Sequence, residues 1–258
     1  MRLMKRILSA AAVLALSASL LVGCSSGTAS SVPVSASSAA ESTVSSVEET
    51  ASSAVDENEA AAAQLLNDLT GSYQELWPVI LADEYKQTWL DDCTALVGED
   101  NAEAAFEKLS SMVTGDVYGE DAVKAYANGG GAYFCGFTNS LAILTFDGET
   151  STISGTDKDG NVLFSHTYHY IGMEPVHGLY EFESDDADSG EFTYFFLAPD
   201  TSAETYHIEF RYGSDAEALS QYDAGEYAYW LASGISTDCD QTMIDNCIEL
   251  FCTENLAG

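Results

Sequence analysis

The sequence predicts a mainly β domain with helices at its N-terminal side and a single helix at its C-terminal end. Three observations carry that prediction. Apolar residues recur at helical spacing from Tyr73 to Met112, the pattern switches to period two from Ala132 onward, and turn dipeptides divide the second half into hairpins.

Tyr73, Leu76, Trp77, Ile80 and Leu81 follow the i, i+3, i+4, i+7, i+8 pattern of a helix with one buried face, which Pro78 should kink or restart. Tyr85, Trp89, Cys93 and Leu96 form a second stripe. Asn101 is the expected cap of a third helix that buries Phe106, Leu109 and Met112. A short helix over 121–127 ends at Gly129-Gly130-Gly131, which precedes a strand and lacks a Lys-Ser/Thr, so it reads as a hinge and not a phosphate cradle. Strands are expected near 132–138, 141–147, 150–155, 161–171, 178–183, 191–198 and 204–212, with Asp147-Gly148 and Asp159-Gly160 as hairpin turns. Successive hairpins imply an antiparallel meander, either a closed barrel or a strongly curled sheet. The last helix, about 240–253, turns Ile244, Cys247, Ile248 and Phe251 inward.

The N-terminus reads as a lipoprotein signal peptide over 1–23. Arg2, Lys5 and Arg6 precede an apolar run from Ile7 to Leu21, and Leu21-Val22-Gly23-Cys24 forms a lipobox. Cleavage before Cys24 would place a lipidated cysteine at the mature N-terminus and hold the protein on the extracytoplasmic face of a cell membrane. Residues 24–57 are nearly all Ser, Ala, Val, Thr and Glu, a composition that buries too little apolar surface to order itself and reads as a flexible tether. Residues 58–258 suffice for one domain with a sizeable core.

Forty-two acidic residues face eight basic ones, a formal net charge of −34. Without the leader the bases are Lys86, Lys108, Lys124, Lys158 and Arg211. Such a charge excludes nucleic acid and anionic lipid as partners. It would attract cations, as would any acidic solvated surface. Beyond Cys24 the cysteines are Cys93, Cys135, Cys239, Cys247 and Cys252, with no C-x-x-C spacing for a thiolate metal site or a redox motif. Cys93 and Cys247 occupy buried helical positions, and a bridge that uses Cys239 or Cys252 is compatible with an oxidising compartment.

Strand 204–212 carries the candidate chemistry. Alternation places Thr205, His207, Glu209 and Arg211 on one face and Tyr206, Ile208, Phe210 and Tyr212 on the other. An imidazole and a carboxylate two residues apart can reach a common point, a pairing that zinc accepts; a plain hydrogen-bonded sheet histidine uses the same pattern. The other histidines are His166, His169 and His177. Alternation sets His166 opposite to His169, and His177 precedes a strand. His169 is therefore the expected third ligand and His177 its substitute. The acidic turns at Asp157-Lys158-Asp159-Gly160 and at Asp185 to Asp188 lack the Gly and Glu positions of a calcium loop. No nucleophile elbow or Cys-His pair stands out, so no enzyme is expected.

Several segments, in order, resemble the ZinT (YodA) family of zinc- and cadmium-binding proteins. The family's metal strand reads His-x-His shortly before a Gly and follows a strand ending in Ala-Pro. The matching residues are His207-Ile208-Glu209, Gly213 and Ala198-Pro199. Leu69-Thr70-Gly71-Ser72-Tyr73-Gln74 with Trp77-Pro78 is similar to the family's Trp-x-Gly-x-Trp-Gln segment and its Tyr-Pro. Tyr168-His169-Tyr170 with Gly172, and Tyr180-Glu181-Phe182-Glu183, fall in family order, so that the likeness spans Leu65 to Phe251. Two family histidines are absent: Phe195 stands at the first metal position and Glu209 at the second member of the pair, and the loop after Ala-Pro is longer. His169 stands where the family has an acidic residue.

The resemblance implies a calycin-like (lipocalin-like) antiparallel β-barrel with helices at one side. It also implies capture of zinc, with cadmium as a second metal, for an uptake system served by a zinc ABC transporter. His207, Glu209 and His169 are the implied metal set. The alternative is a barrel repurposed to hold a small organic ligand, lined by Tyr168, Tyr170, Tyr194 and Phe196.

Overall fold

The structure, a computed structural model, describes residues 57–198, 205 and 207–257. The expected signal peptide, Cys24 and nearly all of the tether lie outside them. None of the helices among the described residues is long and apolar enough to cross a membrane.

Eight antiparallel strands close into a barrel in chain order: β1 Gly71–Glu75, β2 Ile143–Asp147, β3 Thr152–Thr156, β4 Val162–Met173, β5 Tyr180–Ser184, β6 Tyr194–Leu197, β7 His207–Gly213 and β8 Ala232–Ser236. The closing seam joins β1 to β8 through Tyr73↔Ser236, Gln74↔Ile235 and Glu75↔Gly234. Closure removes both sheet edges, so that among the described residues no barrel strand lacks a neighbour on either side. Of the sheet and barrel alternatives, the barrel is the one formed.

The helices are α1 (57–68), α2 Leu76–Ile80, α3 Lys86–Val97, α4 Glu99–Val113, α5 Glu120–Ala127, α6 Ala216–Leu219 and α7 Gln241–Leu256. Aspartates start two of them. Asp215 accepts from the N–H groups of Glu217 and Ala218, and Asp240 from that of Met243, which satisfies donors that a helix leaves open. The β2–β3 turn is built in the same way, with Asp147 Oδ1 accepting from Glu149 N at 3.1 Å and Thr150 N at 3.3 Å.

Two cores result. The barrel interior holds Phe164, Tyr168, Phe182, Phe195, Phe210 and Tyr212 with Trp230. Its rings pack against one another: Tyr212 and Trp230 at 4.9 Å, Phe195 and Tyr212 at 5.4 Å, and Tyr168 edge-on to Phe195 at 5.4 Å. The second core lies outside the barrel, where α2, α3, α4 and α7 bury Trp77, Trp89, Cys93, Leu109, Ile248 and Phe251 against Ile235 of β8. Trp89 is locked there by the bond from its Nε1 to the Ile80 carbonyl, 2.7 Å.

Several expectations are corrected. Tyr73 lies in β1, not in a helix; the helical spacing counted from Tyr73 runs across the junction at which β1 ends and α2 begins. Pro78 falls in the first turn of α2, where a missing N–H costs nothing, and so neither kinks nor restarts it. The third long helix starts at Glu99 after Gly98, whose φ of 83° favours glycine; Asn101 lies inside the first turn and donates its Nδ2 to the Val97 carbonyl. The segment 132–138 forms only single bridges, Phe134 to Thr114 and to Trp230. β1 and β8, which the period-two reading passes over, complete the barrel.

Inside it, Gly155 faces Leu141 and Phe164: a Cβ at that position would stand 2.4 Å from Leu141 Cδ1 and 2.5 Å from Phe164 Cε1. Gly155→Ala should therefore overpack the interior and destabilise the domain by about 1–3 kcal/mol, read as a lower midpoint in urea unfolding with an unchanged slope.

Candidate functional site

Register decides which way β7 points its side chains. His207 pairs with Ile235 and Glu209 with Ser233. Ile235 belongs to the helical core, so His207 and Glu209 face outward, beneath the covering segments, while Ile208, Phe210 and Tyr212 fill the barrel. Both outward residues are buried, His207 to 4% exposure and Glu209 to 7%. The Thr205 hydroxyl engages His207 Nδ1 at 2.7 Å, the kind of contact that fixes an imidazole's orientation. Glu209 borders a cavity of about 20 Å³ between barrel and helices, with Cys135, Ser233, Trp77 and Phe251 among its walls. That is room for one water or one small ion. The carboxylate also reaches the neighbouring thiols. Burial first, then Glu209, pushes Cys247 up to about 12 and raises Cys135.

Arg211 is the next residue on this face and is fully buried. Its guanidinium donates to the carbonyls of Leu219, Gln221 and Tyr227, which ties the segment after α6 onto the barrel wall, and it stacks on the Tyr222 ring at 4.2 Å. His177 also packs on Tyr222, with ring centroids 3.9 Å apart. His177 is held by Glu174, which is also fully buried. The Glu174 carboxylate accepts from Val176 N at 2.9 Å and His177 N at 2.6 Å, and Oε2 stands 3.3 Å from His177 Nδ1. Burial alone would raise this carboxyl; the His177 side chain and the two N–H donors outweigh it and hold the pKa below the ordinary value of 4.5. Tyr222, raised by burial, feels Arg211, Glu174 and Glu209 together. A buried polar belt thus runs from the β4–β5 loop across Tyr222 to β7.

His169 is not part of it. It lies on β4, three strands from β7, roughly 14 Å away at the usual strand spacing of about 4.8 Å. Its side chain is 53% exposed and bonded through Nδ1 to Asp185 at 2.8 Å, with Glu183 at 4.0 Å from Nε2. The expected set His207, Glu209 and His169 therefore does not converge. Among the described residues no group of three His, Cys, Asp or Glu side chains is arranged to hold a metal ion. His166, on the opposite face from His169, is bonded to Asp186 at 2.7 Å. The four rings expected to line a ligand cavity do not share a space: pairing of Tyr194 with Gly213 and of Phe196 with Arg211 turns both outward, while Tyr168 and Tyr170 point inward.

The sequence reading missed Glu174 and Tyr222, and it gave Arg211 no role. Arg211 had a visible signal: it is the sole arginine after Arg6 and stands in an apolar strand. Glu174 had none, because its partner His177 only becomes a partner through the loop's turn.

No family model matches the chain, and no curated protein does. Among solved structures it is similar to the Zn(II)-bound ZinT-like domain of Streptococcus pneumoniae AdcA, with 15% identity, a TM-score of 0.45, and coverage of 71% of this chain and 89% of that one. It is also similar to Zn(II)-bound AdcA from the same organism, with 14% identity and a TM-score of 0.42 over 72% of this chain and 35% of that longer one.

Glu174→Gln should cost about 1–3 kcal/mol of stability at neutral pH, since it exchanges charge-assisted bonds for neutral ones in a fully buried place. Because the folded pKa is depressed, this contribution is complete above pH 4.5 and fades as pH falls through the folded value, so unfolding curves of the two proteins should converge in acid.

Proposed function

We propose that the chain is a lipid-anchored, extracytoplasmic domain that captures a divalent cation, with zinc as the expected cargo and an uptake transporter as the recipient. The observation that carries this reading is the buried pair on β7: an imidazole oriented through Nδ1 and a carboxylate beside a cavity of ion size, two residues apart on one face. Imidazole and carboxylate are both good zinc donors, and coordination at His207 would fall to Nε2. The resemblance of the β6–β7 region to a zinc-binding family supports the same cargo. The third donor would come from the loop that carries Glu174 and His177, which shares Tyr222 with β7, and not from His169. The protein would perform no reaction; its residues hold the ion and release it.

A filled barrel disfavours the organic-ligand alternative, since the interior rings leave the expected lining residues on different faces. The second reading that a specific observation favours is structural. Arg211 lies on the same face and clasps three carbonyls, and His207 and Glu209 would then be further members of that clasp.

Isothermal titration of the purified protein separates the two. Metal capture predicts one zinc per chain, loss of binding in His207→Ala, weaker binding in His177→Ala and unchanged binding in His169→Ala. Absence of stoichiometric binding, or binding indifferent to His207, would sink the metal reading. A drop in melting temperature in His207→Ala without any zinc binding in the parent would establish the clasp.

A further inference from the structure

Cys93 on α3 and Cys252 on α7 face each other in the helical core, with Sγ atoms 3.9 Å apart and both residues at 0% exposure. Their facing is set by aromatic packing beside them: Phe251, the neighbour of Cys252, stands edge-on to Trp89, one turn before Cys93, at 5.9 Å. A disulfide requires about 2.05 Å between sulfurs, so the thiols need to approach by roughly 2 Å, which side-chain rotation and a small helix shift supply. The other cysteines have different surroundings. Cys135 turns its thiol toward the Tyr133 carbonyl at 3.9 Å, Cys247 neighbours Glu209, and Cys239 is only partly buried.

We propose that Cys93 and Cys252 are joined by a disulfide that staples α7 onto α3. Strands β2 to β8, all of the barrel but β1, lie in the sequence between the two helices. The bond would therefore close a very long loop, the case in which cross-linking most restricts the unfolded chain. It would also fix the lid under which the outer faces of β7 and β8 are buried.

The step balances with a disulfide oxidant, such as a thiol–disulfide exchange protein or glutathione disulfide. The Cys93 and Cys252 thiols give up two protons and two electrons and form one S–S bond, while the oxidant's S–S bond breaks and leaves as two thiols. Burial raises both thiols, Cys93 and Cys252 alike, so few thiolates exist once the helical layer has closed. Exchange thus belongs to folding, before α7 docks. For the cell this rests on the extracytoplasmic reading, because only an oxidising compartment supplies the oxidant. The pairing itself does not depend on zinc.

The test is to refold the full chain in a glutathione and glutathione-disulfide buffer and to map it by non-reducing peptide mass spectrometry. The expected product is one cross-linked species, lighter by two hydrogens, that joins the peptides holding Cys93 and Cys252. Its melting temperature should fall by about 5–10 °C on reduction, whereas that of the double variant Cys93→Ala, Cys252→Ala should not respond to reductant. Free thiols at both positions after refolding, a cross-link to Cys239 in place of the pair, or a double variant that still responds to reductant would overturn the proposal. Loss of zinc binding alone would leave it standing.

Discussion

Strand β7 is buried on both faces along its whole length, and the rest of the molecule is arranged around that constraint. An ordinary barrel strand shows one face to the interior and the other to water. Here the outer face lies under the helical layer and the segment 216–230, yet it carries His207, Glu209 and Arg211. Polar groups taken out of water must find partners or cost several kcal/mol each. The chain meets the demand locally: Thr205 on His207, three carbonyls and a tyrosine ring on Arg211, and the Glu174 loop brought against Tyr222.

The belt that results has a definite electrostatic character. Arg211 brings a fixed positive charge, and Glu174 and Glu209 bring two carboxylates that Tyr222 senses together. Glu209 sits beside a cavity of ion size, and the Arg211 guanidinium offsets only one of the two carboxylates. Such a place suits a cation held by few protein groups and released again, and it suits a structural clasp equally well in its uncharged parts. What distinguishes the two is the chemistry at His207.

Much of the fold was legible. The hairpins at Asp147-Gly148 and Asp159-Gly160, the alternation in β4 to β7 and the stripe on α7 are local signals, and local signals survive tertiary packing. The misreadings share a cause. Tyr73 fits a helical count only because β1 runs straight into α2, and β8 is the run Ala232-Ser233-Gly234-Ile235-Ser236, too small and too polar to announce a strand that two neighbours bury. The candidate site was half legible. His207 and Glu209 share a face, as alternation requires; His169 fails as a partner because strand order round a barrel, unlike alternation along a strand, is a non-local property. Glu174 became part of the belt through the same non-local closure.

The most direct measurement of the account is diffraction from zinc-soaked crystals recorded on both sides of the zinc absorption edge. Zinc held by the β7 pair gives an anomalous peak on the outer face of that strand, about 2.0–2.2 Å from a His207 ring nitrogen and from a Glu209 carboxylate oxygen. A peak confined to the surface group of His169, Asp185 and Glu183, or no peak at all, would contradict it.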